Sequence, residues 1–442
     1  MAQALRIFLL GLLLLTSGCA PYLVVRGGVV NPQKLQEIKS GVAALRALDF
    51  KAEVPIEVKD RAGMKRYLTA ELDREYGEER LKNLALLYGK LGLLPPGFDL
   101  RRALIEFYSS QVAAFYDPRA KKLILPADLG GGMALAAVQF LAQRDIVGEM
   151  VLAHELTHAL QDQHFSLEER LGPSGNSDQT LALRAVAEGD ATLSGFEYLF
   201  GDLDETALAQ VRKAVEESIQ EARLLLSDIP GAILEELLFQ YYGGVSFVSR
   251  ALQERGWLGV SLLYRYPPLS TEQILHPERY FDEPDPPTVI TLKNLSVLFS
   301  PDWSEIENNV LGELMVRSLF QRFFAAEEAG AAAEGWDGDR LVAFRRGDEI
   351  SFIWATVWDS DEDAGEFHQR YQELLAQKYA GSEPAAADFF VERRDRRVIV
   401  VEGLAKEHAE RQIEKVWQGI VLEPQPFDAF FSRLKSRPAA PR

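Results

Sequence analysis

The chain has 442 residues, a formal net charge of −18 and one cysteine. Its length predicts two or three domains with enough residues for a sizeable core. The acidity disfavours nucleic acid and anionic lipid surfaces as partners, because both are themselves negatively charged. With a single cysteine, no disulfide can form within the chain.

Residues 1–18 are predicted to be an export signal, with Arg6 at the positive end and an apolar run that is too short to span a membrane. The signal ends in Leu-Thr-Ser-Gly-Cys, which resembles a bacterial lipobox, so Cys19 is predicted to carry lipid. A buried free thiol is the alternative. Ala20 is not the aspartate that retains the resembled lipoproteins at the inner membrane. In a Gram-negative cell the resemblance therefore favours the outer membrane.

Residues 19–100 form a predicted N-terminal helical region, interrupted near its end by Pro95-Pro96-Gly97. Residues 104–112 are predicted to be helical again. Residues 113–125 are then predicted to form a β-hairpin, with Asp117-Pro118 starting its turn.

An apolar helix follows and contains His154-Glu155-Leu156-Thr157-His158, an HExxH motif. Two histidines four residues apart share one helix face, so both imidazoles can reach one ion, with Glu155 beside the open coordination position. Zinc lowers the pKa of a bound water to about 7 and polarises a carbonyl. The motif therefore predicts one zinc ion per chain, with Glu155 as general base. An accidental HExxH on a surface helix is the alternative.

A catalytic zinc ordinarily takes three protein ligands, and two residues compete for the third position. His164 gives the spacing HExxHxxxxxH, which resembles the metzincin pattern, but Gln161 stands where that pattern has a glycine. An unbroken helix rotates His164 away from the ligand face. The metzincin resemblance also implies a methionine turn, and no methionine lies between Met150 and Met315.

Glu188 is the favoured third ligand. A helix that begins after the capping pair Ser177-Asp178 would carry it into the core, and small residues such as Gly189 would keep that helix thin. Asp190 lies about 200° away around the helix, so only one of the two carboxylates can face the metal. The alternative for Glu188 is an (i, i+4) ion pair with Arg184 that requires no metal.

HExxH followed about thirty residues later by a helical glutamate resembles the gluzincin group of zinc metallopeptidases. Segments 154–163, 188–191 and 270–277 together resemble a set of bacterial zinc-peptidase lipoproteins. The resemblance covers residues 101–280 well and implies a zincin-like core, in which either half of the predicted hairpin could be an edge strand that binds substrate backbone. A purely structural hairpin is the alternative. Many gluzincins have an aspartate where this chain has Thr192, so the residue that orients a ligand histidine is open.

Residues 205–226 are predicted to form an exposed amphipathic helix, and residues 233–252 a further helix. Residues 264–280 form an aromatic, proline-bounded loop with a short helix. Because gluzincins often supply a distant histidine or tyrosine to the oxyanion, the resemblance assigns His276 this role. A histidine that caps the loop locally is an equal alternative.

Residues 283–287 are the clearest linker, and residues 303–324 beyond it are predicted to be one helix. Two successive strand-strand-helix patterns follow, and residues 337–339 are predicted to be a turn. The strands are predicted at 341–344, 350–357, 388–392 and 398–401, and the helices at 362–379 and 406–418. This order predicts a small α+β domain over residues 288–442 with an internal duplication.

The predicted fold class is α+β, with a mainly helical, zincin-like catalytic core at 101–283, a short edge hairpin and a smaller C-terminal α+β domain. The predicted function is an exported, lipid-anchored zinc endopeptidase that acts on a peptide or protein. The predicted site residues are His154, His158 and Glu188 as zinc ligands, Glu155 and His276 in catalysis, and Cys19 as membrane anchor. The alternative is a zincin-fold binding or assembly lipoprotein with structural zinc. An intact Glu155 favours the enzyme, since a structural site does not need it.

Overall fold

A computed structural model describes residues 23–111, 114–127, 129, 144–172, 175–380 and 388–435. The predicted signal and Cys19 lie outside the described residues. As predicted, the fold is α+β, with a mainly helical part followed by a β-rich C-terminal part. The described residues group into two compact units, which fall within Met1–Met64, Ala113–Leu160 and Ser194–Gly201 for the first and within Lys65–Val112, Gln161–Leu193 and Asp202–Arg442 for the second.

The described helices are α1 (Pro32–Arg46), α2 (Arg61–Glu75), α3 (Glu78–Leu91), α4 (Leu100–Gln111), α5 (Ile146–Phe165), α6 (Leu167–Arg170), α7 (Ser177–Phe200), α8 (Glu205–Leu225), α9 (Gly231–Arg265), α10 (Thr271–Leu275), α11 (Glu278–Phe281), α12 (Gly312–Phe320), α13 (Ala326–Ala331), α14 (Asp361–Lys378), α15 (Lys406–Gln418) and α16 (Phe430–Lys435). A short 3-10 helix spans Leu295–Val297.

The described strands are β1 (Val25–Arg26), β2 (Val29–Val30), β3 (Ile56–Lys59), β4 (Phe115–Asp117), β5 (Lys122–Pro126), β6 (Thr288–Leu292), β7 (Ser304–Asn309), β8 (Trp336–Arg346), β9 (Glu349–Trp358), β10 (Phe389–Arg394), β11 (Arg397–Glu402) and β12 (Ile420–Pro424).

In the first unit, the predicted hairpin is present as β4 and β5, which pair antiparallel. Its turn is closed by Asp117, whose Oδ1 accepts hydrogen bonds from the backbone N–H groups of Arg119 at 2.9 Å and Ala120 at 2.8 Å. β3 joins the other side of β5 in parallel, so the sheet order is β3-β5-β4. β4 is therefore an edge strand, and β5 lies in the middle.

Helix α5 begins at a buried aspartate. The Asp145 carboxylate accepts from the backbone N–H of Gly148 at 3.0 Å and from that of Val24 at 2.9 Å, so it caps the helix and fastens the chain before α1 to it. Leu152, Leu156 and other apolar residues of α5 are fully buried in a core shared with α1 and the sheet. The prediction of a core helix is confirmed.

In the second unit, α7 and α9 cross with their backbones in contact. A Cβ on Gly189 would lie 2.3 Å from the carbonyl oxygen of Gly244, and a Cβ on Gly244 would lie 2.0 Å from that of Ala185. Both positions therefore require glycine. The predicted cap of α7 is wrong, because Asn176 caps the helix through the backbone N–H of Gln179 at 2.9 Å.

The C-terminal part follows the predicted double strand-strand-helix order, as β8-β9-α14 and β10-β11-α15. With β7 these strands form one antiparallel sheet in the order β10-β11-β9-β8-β7. The strands bury one apolar face against α12 and α14 and the other against α15. β6 pairs antiparallel with β12, so the first and last strands of this part of the chain lie side by side.

Two predictions in this part are wrong. Residues 303–324 are not one helix, because β7 pairs with β8 and α12 begins only at Gly312, whose φ is +79°. Residues 337–339 are not a turn but lie in β8, where the register shifts between Trp336 and Gly338. The Asp339 carboxylate accepts from the Leu311 and Gly312 N–H groups at 3.0 and 2.9 Å, which explains where the helix starts.

Candidate metal centre

His154 and His158 lie one helical turn apart on α5, and their Nε2 atoms are 3.1 Å apart. Between Leu152 and Leu160, these two histidines are the partly exposed residues of an otherwise buried helix. Two nitrogens bonded at about 2.0–2.1 Å to a tetrahedral zinc ion lie about 3.3 Å apart. The spacing of the two imidazoles therefore fits a shared ion.

Glu188, the predicted third ligand, lies on α7 and is partly exposed. Two neutral imidazoles and a carboxylate are a donor set that zinc takes in catalytic sites, where a fourth position stays open for water. The residues present therefore fit the predicted ion, and their role as ligands remains a prediction.

The alternative partner of Glu188 is engaged elsewhere. The guanidinium of Arg184 donates from Nη2 to Oε1 of Glu75 at 2.8 Å. Along α7 from Ala182 to Gly195, Arg184 and Glu188 are the two partly exposed positions in an otherwise buried stretch. The alternative role of Glu188, an ion pair with Arg184, is therefore not supported, because Arg184 pairs with Glu75.

His164 lies in the last turn of α5, where its ring is 6.1 Å from that of Phe165. This arrangement is the one expected when α5 continues unbroken past Gln161.

Glu155 is buried, with 6% of its surface exposed. Its Oε2 accepts a hydrogen bond from the backbone N–H of Tyr116 at 2.6 Å. Tyr116 is the central residue of the edge strand β4 and pairs with Leu123 of β5. The glutamate of the motif is therefore positioned by one strand of the predicted hairpin.

His276 ends α10 and is bound to a carboxylate. Its Nε2 lies 3.0 Å from Oε1 of Glu313 on α12, and its Nδ1 lies 3.8 Å from Oε1 of Glu278. The hydrogen bond with Glu313 raises the pKa of His276, while burial opposes the rise. These contacts support the local role that the sequence left open, and the oxyanion role remains a prediction.

A polar network that sequence reasoning did not find surrounds Asp190, which is fully buried. Its Oδ2 accepts from Nε2 of Gln161 at 3.0 Å and from the hydroxyl of Tyr264 at 2.9 Å. Gln161 also donates to the carbonyl of Ala187 at 3.0 Å. The network ties the end of α5 to the turn of α7 that carries Glu188. The sequence feature that could have predicted this network is the presence of two polar residues, Gln161 and Asp190, inside apolar helices.

A second acidic group has a different character. Glu272, Asp285 and Asp359 each offer an oxygen close enough to the others to hold an ion. Nη1 of Arg279, however, donates to all three carboxylates, at 2.7, 2.8 and 2.6 Å. The guanidinium already supplies positive charge at the point where a cation would bind. This cluster is therefore an ion-pair centre within the second unit.

Comparison with known proteins adds one match. Residues 299–413 match the model of a family described as a domain of unknown function, DUF8575. No curated protein matches the chain, and no solved structure does. In the part of the chain that the structure describes, no helix has the length and apolarity to cross a membrane.

Proposed function

We propose that the protein is a zinc-dependent endopeptidase that hydrolyses peptide bonds with metal-activated water. The observation that carries the proposal is the pair of imidazoles on α5, where Nε2 of His154 and Nε2 of His158 lie 3.1 Å apart with Glu155 between the two histidines in sequence. Zinc bound there would lower the pKa of a water molecule and polarise the carbonyl of a peptide bond.

The proposal gives each residue of the site its own role. The two imidazoles and the Glu188 carboxylate would hold the ion. Glu155 would orient the attacking water, accept its proton and pass that proton to the leaving amine. The backbone N–H of Tyr116 fixes one oxygen of Glu155, so the carboxylate is oriented before substrate arrives.

The edge strand β4 is proposed to bind the substrate backbone by strand addition. Its N–H at Tyr116 donates to Glu155. A substrate strand beside β4 would therefore have to pair with the remaining backbone groups of the strand. The contact limits how closely the substrate can follow a regular antiparallel ladder at this residue.

The test separates catalysis from metal binding. Wild type and Glu155→Gln are purified with zinc, their metal content is measured by mass spectrometry, and both are incubated with a broad peptide library. Wild type is expected to cleave, while Glu155→Gln keeps zinc and loses nearly all cleavage, because an amide cannot accept the proton. Glu169→Gln makes the same change at an exposed carboxylate of α6 and should cleave normally.

Two results would oppose the proposal. Wild type with a full complement of zinc that cleaves nothing would favour a binding or assembly protein with structural zinc. Cleavage by Glu155→Gln at the wild-type rate would remove Glu155 as the base.

We further propose that the chain is exported and anchored by lipid on Cys19. Cys19→Ser should move the protein from the membrane fraction to the soluble fraction. Retention of the variant in the membrane with its signal uncut would contradict the anchor.

A further inference from the structure

The second unit contains a cavity of about 130 Å³ that is open to solvent on part of its boundary. Side chains of α2, α3, α4, α7 and α9 line it, and leucines such as Leu84, Leu104 and Leu237 form its apolar walls. Since a water molecule needs about 10–15 Å³ on this scale, the cavity has room for about ten waters. A long side chain fits in that space.

The cavity begins one helical turn from a candidate metal ligand. Arg184 lines it, and Glu188 lies four residues later on the same face of α7, about 6 Å along the helix axis. Tyr108 also lines the cavity and lies close enough to Glu188 for the two to interact electrostatically. A residue of a substrate that lies beside Glu188 could therefore reach into it.

Two arginines and two glutamates line the cavity, and three of these four residues are in ion pairs. Arg184 pairs with Glu75 at 2.8 Å, and Arg80 pairs with Glu307 at 3.3 Å. Glu236 also lines the cavity, and no described residue donates a hydrogen bond to it or forms an ion pair with it. Burial raises the pKa of Glu236, and the charge of Arg184 only partly opposes that rise. One carboxylate in the cavity thus lacks a dedicated counter-ion.

Three tyrosines line the cavity together with this carboxylate. Tyr76, Tyr88 and Tyr108 line the cavity, and each interacts electrostatically with Glu236. Burial raises the pKa of all three, so the hydroxyls stay neutral. Tyrosine rings attract cations over their faces, and this attraction strengthens where water is excluded.

We propose that this cavity is a subsite for a positively charged side chain of the substrate, lysine or arginine, with Glu236 as its counter-ion. The leucine walls match the methylene stem of such a side chain, while the carboxylate and the tyrosine rings match its charged end. That the bound side chain belongs to a substrate rests on the proposed peptidase function. The binding of a cation can be measured without cleavage.

The binding test uses the full, zinc-loaded protein and two small probes of the same shape. n-Butylguanidinium carries the charge of an arginine end group, and n-butylurea is its uncharged counterpart. Calorimetry should show the guanidinium binding at least about tenfold more tightly, as expected for one charge-assisted contact. Equal binding of the two probes, or no binding of the guanidinium at millimolar concentration, would overturn the proposal.

Variants assign the effect to the cavity. Glu236→Gln should abolish the preference for the charged probe, while Glu221→Gln, the same change at an exposed position of α8, should keep it. Gln240 lines the cavity, so Gln240→Lys supplies a tethered ammonium group that should compete with the probe. A preference that survives in both Glu236→Gln and Gln240→Lys would place cation binding elsewhere.

Cleavage then links the subsite to the reaction. Peptides that carry arginine or the uncharged citrulline at each position around the scissile bond are compared by kcat/KM. Wild type should favour arginine at one position by about tenfold, and Glu236→Gln should lose that preference while it still cleaves the citrulline peptide. Cation binding without any cleavage would overturn the peptidase proposal alone, whereas cleavage without cation binding would overturn the subsite alone.

Discussion

The backbone N–H of Tyr116 donates a hydrogen bond to Oε2 of Glu155 at 2.6 Å, which joins an edge strand to the proposed general base. Glutamine at position 155 keeps a carbonyl oxygen that can accept this bond, whereas alanine leaves a buried N–H without it. We expect Glu155→Ala to be less stable than Glu155→Gln by about 1–3 kcal/mol in urea denaturation with zinc present. Glu169→Ala serves as the exposed control. Equal stability of the two Glu155 variants would show that the bond is dispensable.

Metal content distinguishes the two candidates for the third ligand. Glu188→Ala should lower zinc affinity by more than about a hundredfold, because loss of a ligand exceeds the effect of losing its hydrogen-bonded support. His164→Ala, a change on the neighbouring helix, should leave zinc content near one ion per chain. Competition with a chelator followed by metal analysis measures both. The reverse order would assign the site to the metzincin pattern.

His276 can act on the reaction or on its buried partner Glu313, and two substitutions separate these roles. His276→Ala removes the partner of Glu313, which is 3% exposed, and should destabilise the protein. If His276 stabilises the oxyanion, kcat should also fall about ten- to a thousandfold with zinc retained.

His276→Gln can still donate to Glu313 and should recover the stability. If it recovers kcat as well, the imidazole positions the loop and does not touch the reacting atoms. Tyr264, Tyr266 and Tyr280 are then the next residues to test.

Asp178 should make stability depend on pH. Burial raises its pKa from 3.8 to about 8, Asp339 and Glu313 add to the rise, and hydrogen bonds from Thr271 oppose it. The folded state therefore holds a proton that the unfolded chain releases between these values. The contribution to stability is fully present below pH 3.8 and is lost as pH rises through about 8.

Asp178→Asn should remove this component, so that its stability relative to wild type grows as pH rises and then levels off above about 8. The difference at pH 8 should be on the order of a few kcal/mol, since one unit of pKa corresponds to about 1.4 kcal/mol. Denaturation at a series of pH values measures it, with the exposed Asp202→Asn as control. Parallel curves for wild type and Asp178→Asn would contradict the raised pKa.

Local patterns predicted the elements that their own residues determine. The HExxH helix buries every position from Leu152 to Leu160 except its two histidines, as its unbroken apolar run indicated. The two strand-strand-helix units of the C-terminal part could also be predicted from the sequence. Alternating apolar residues indicate a strand and helical periodicity indicates a helix without knowledge of a distant partner. Glu188 was proposed as a ligand from its spacing after the motif and its odd place in an alanine-rich helix, and this role stays a prediction.

Contacts between segments that are distant in sequence could not be predicted from local patterns. Residues 304–309 become a strand because β8 pairs with them, and α12 starts where Asp339 accepts its first N–H groups. The bond from Tyr264 to Asp190 joins residues that are 74 positions apart. Such partners are chosen by the packing of the whole fold, and no short stretch of sequence contains that information.

The pairing of β6 with β12 has a consequence for biosynthesis. β6 leaves the ribosome long before β12 does, so its partner strand is missing while the intervening sheet is being made. Chains released early, without residues 420–424, would carry β6 with an open row of backbone donors and acceptors. An open strand edge is a template for pairing with other chains, so premature termination in this region should favour aggregation over a soluble fragment.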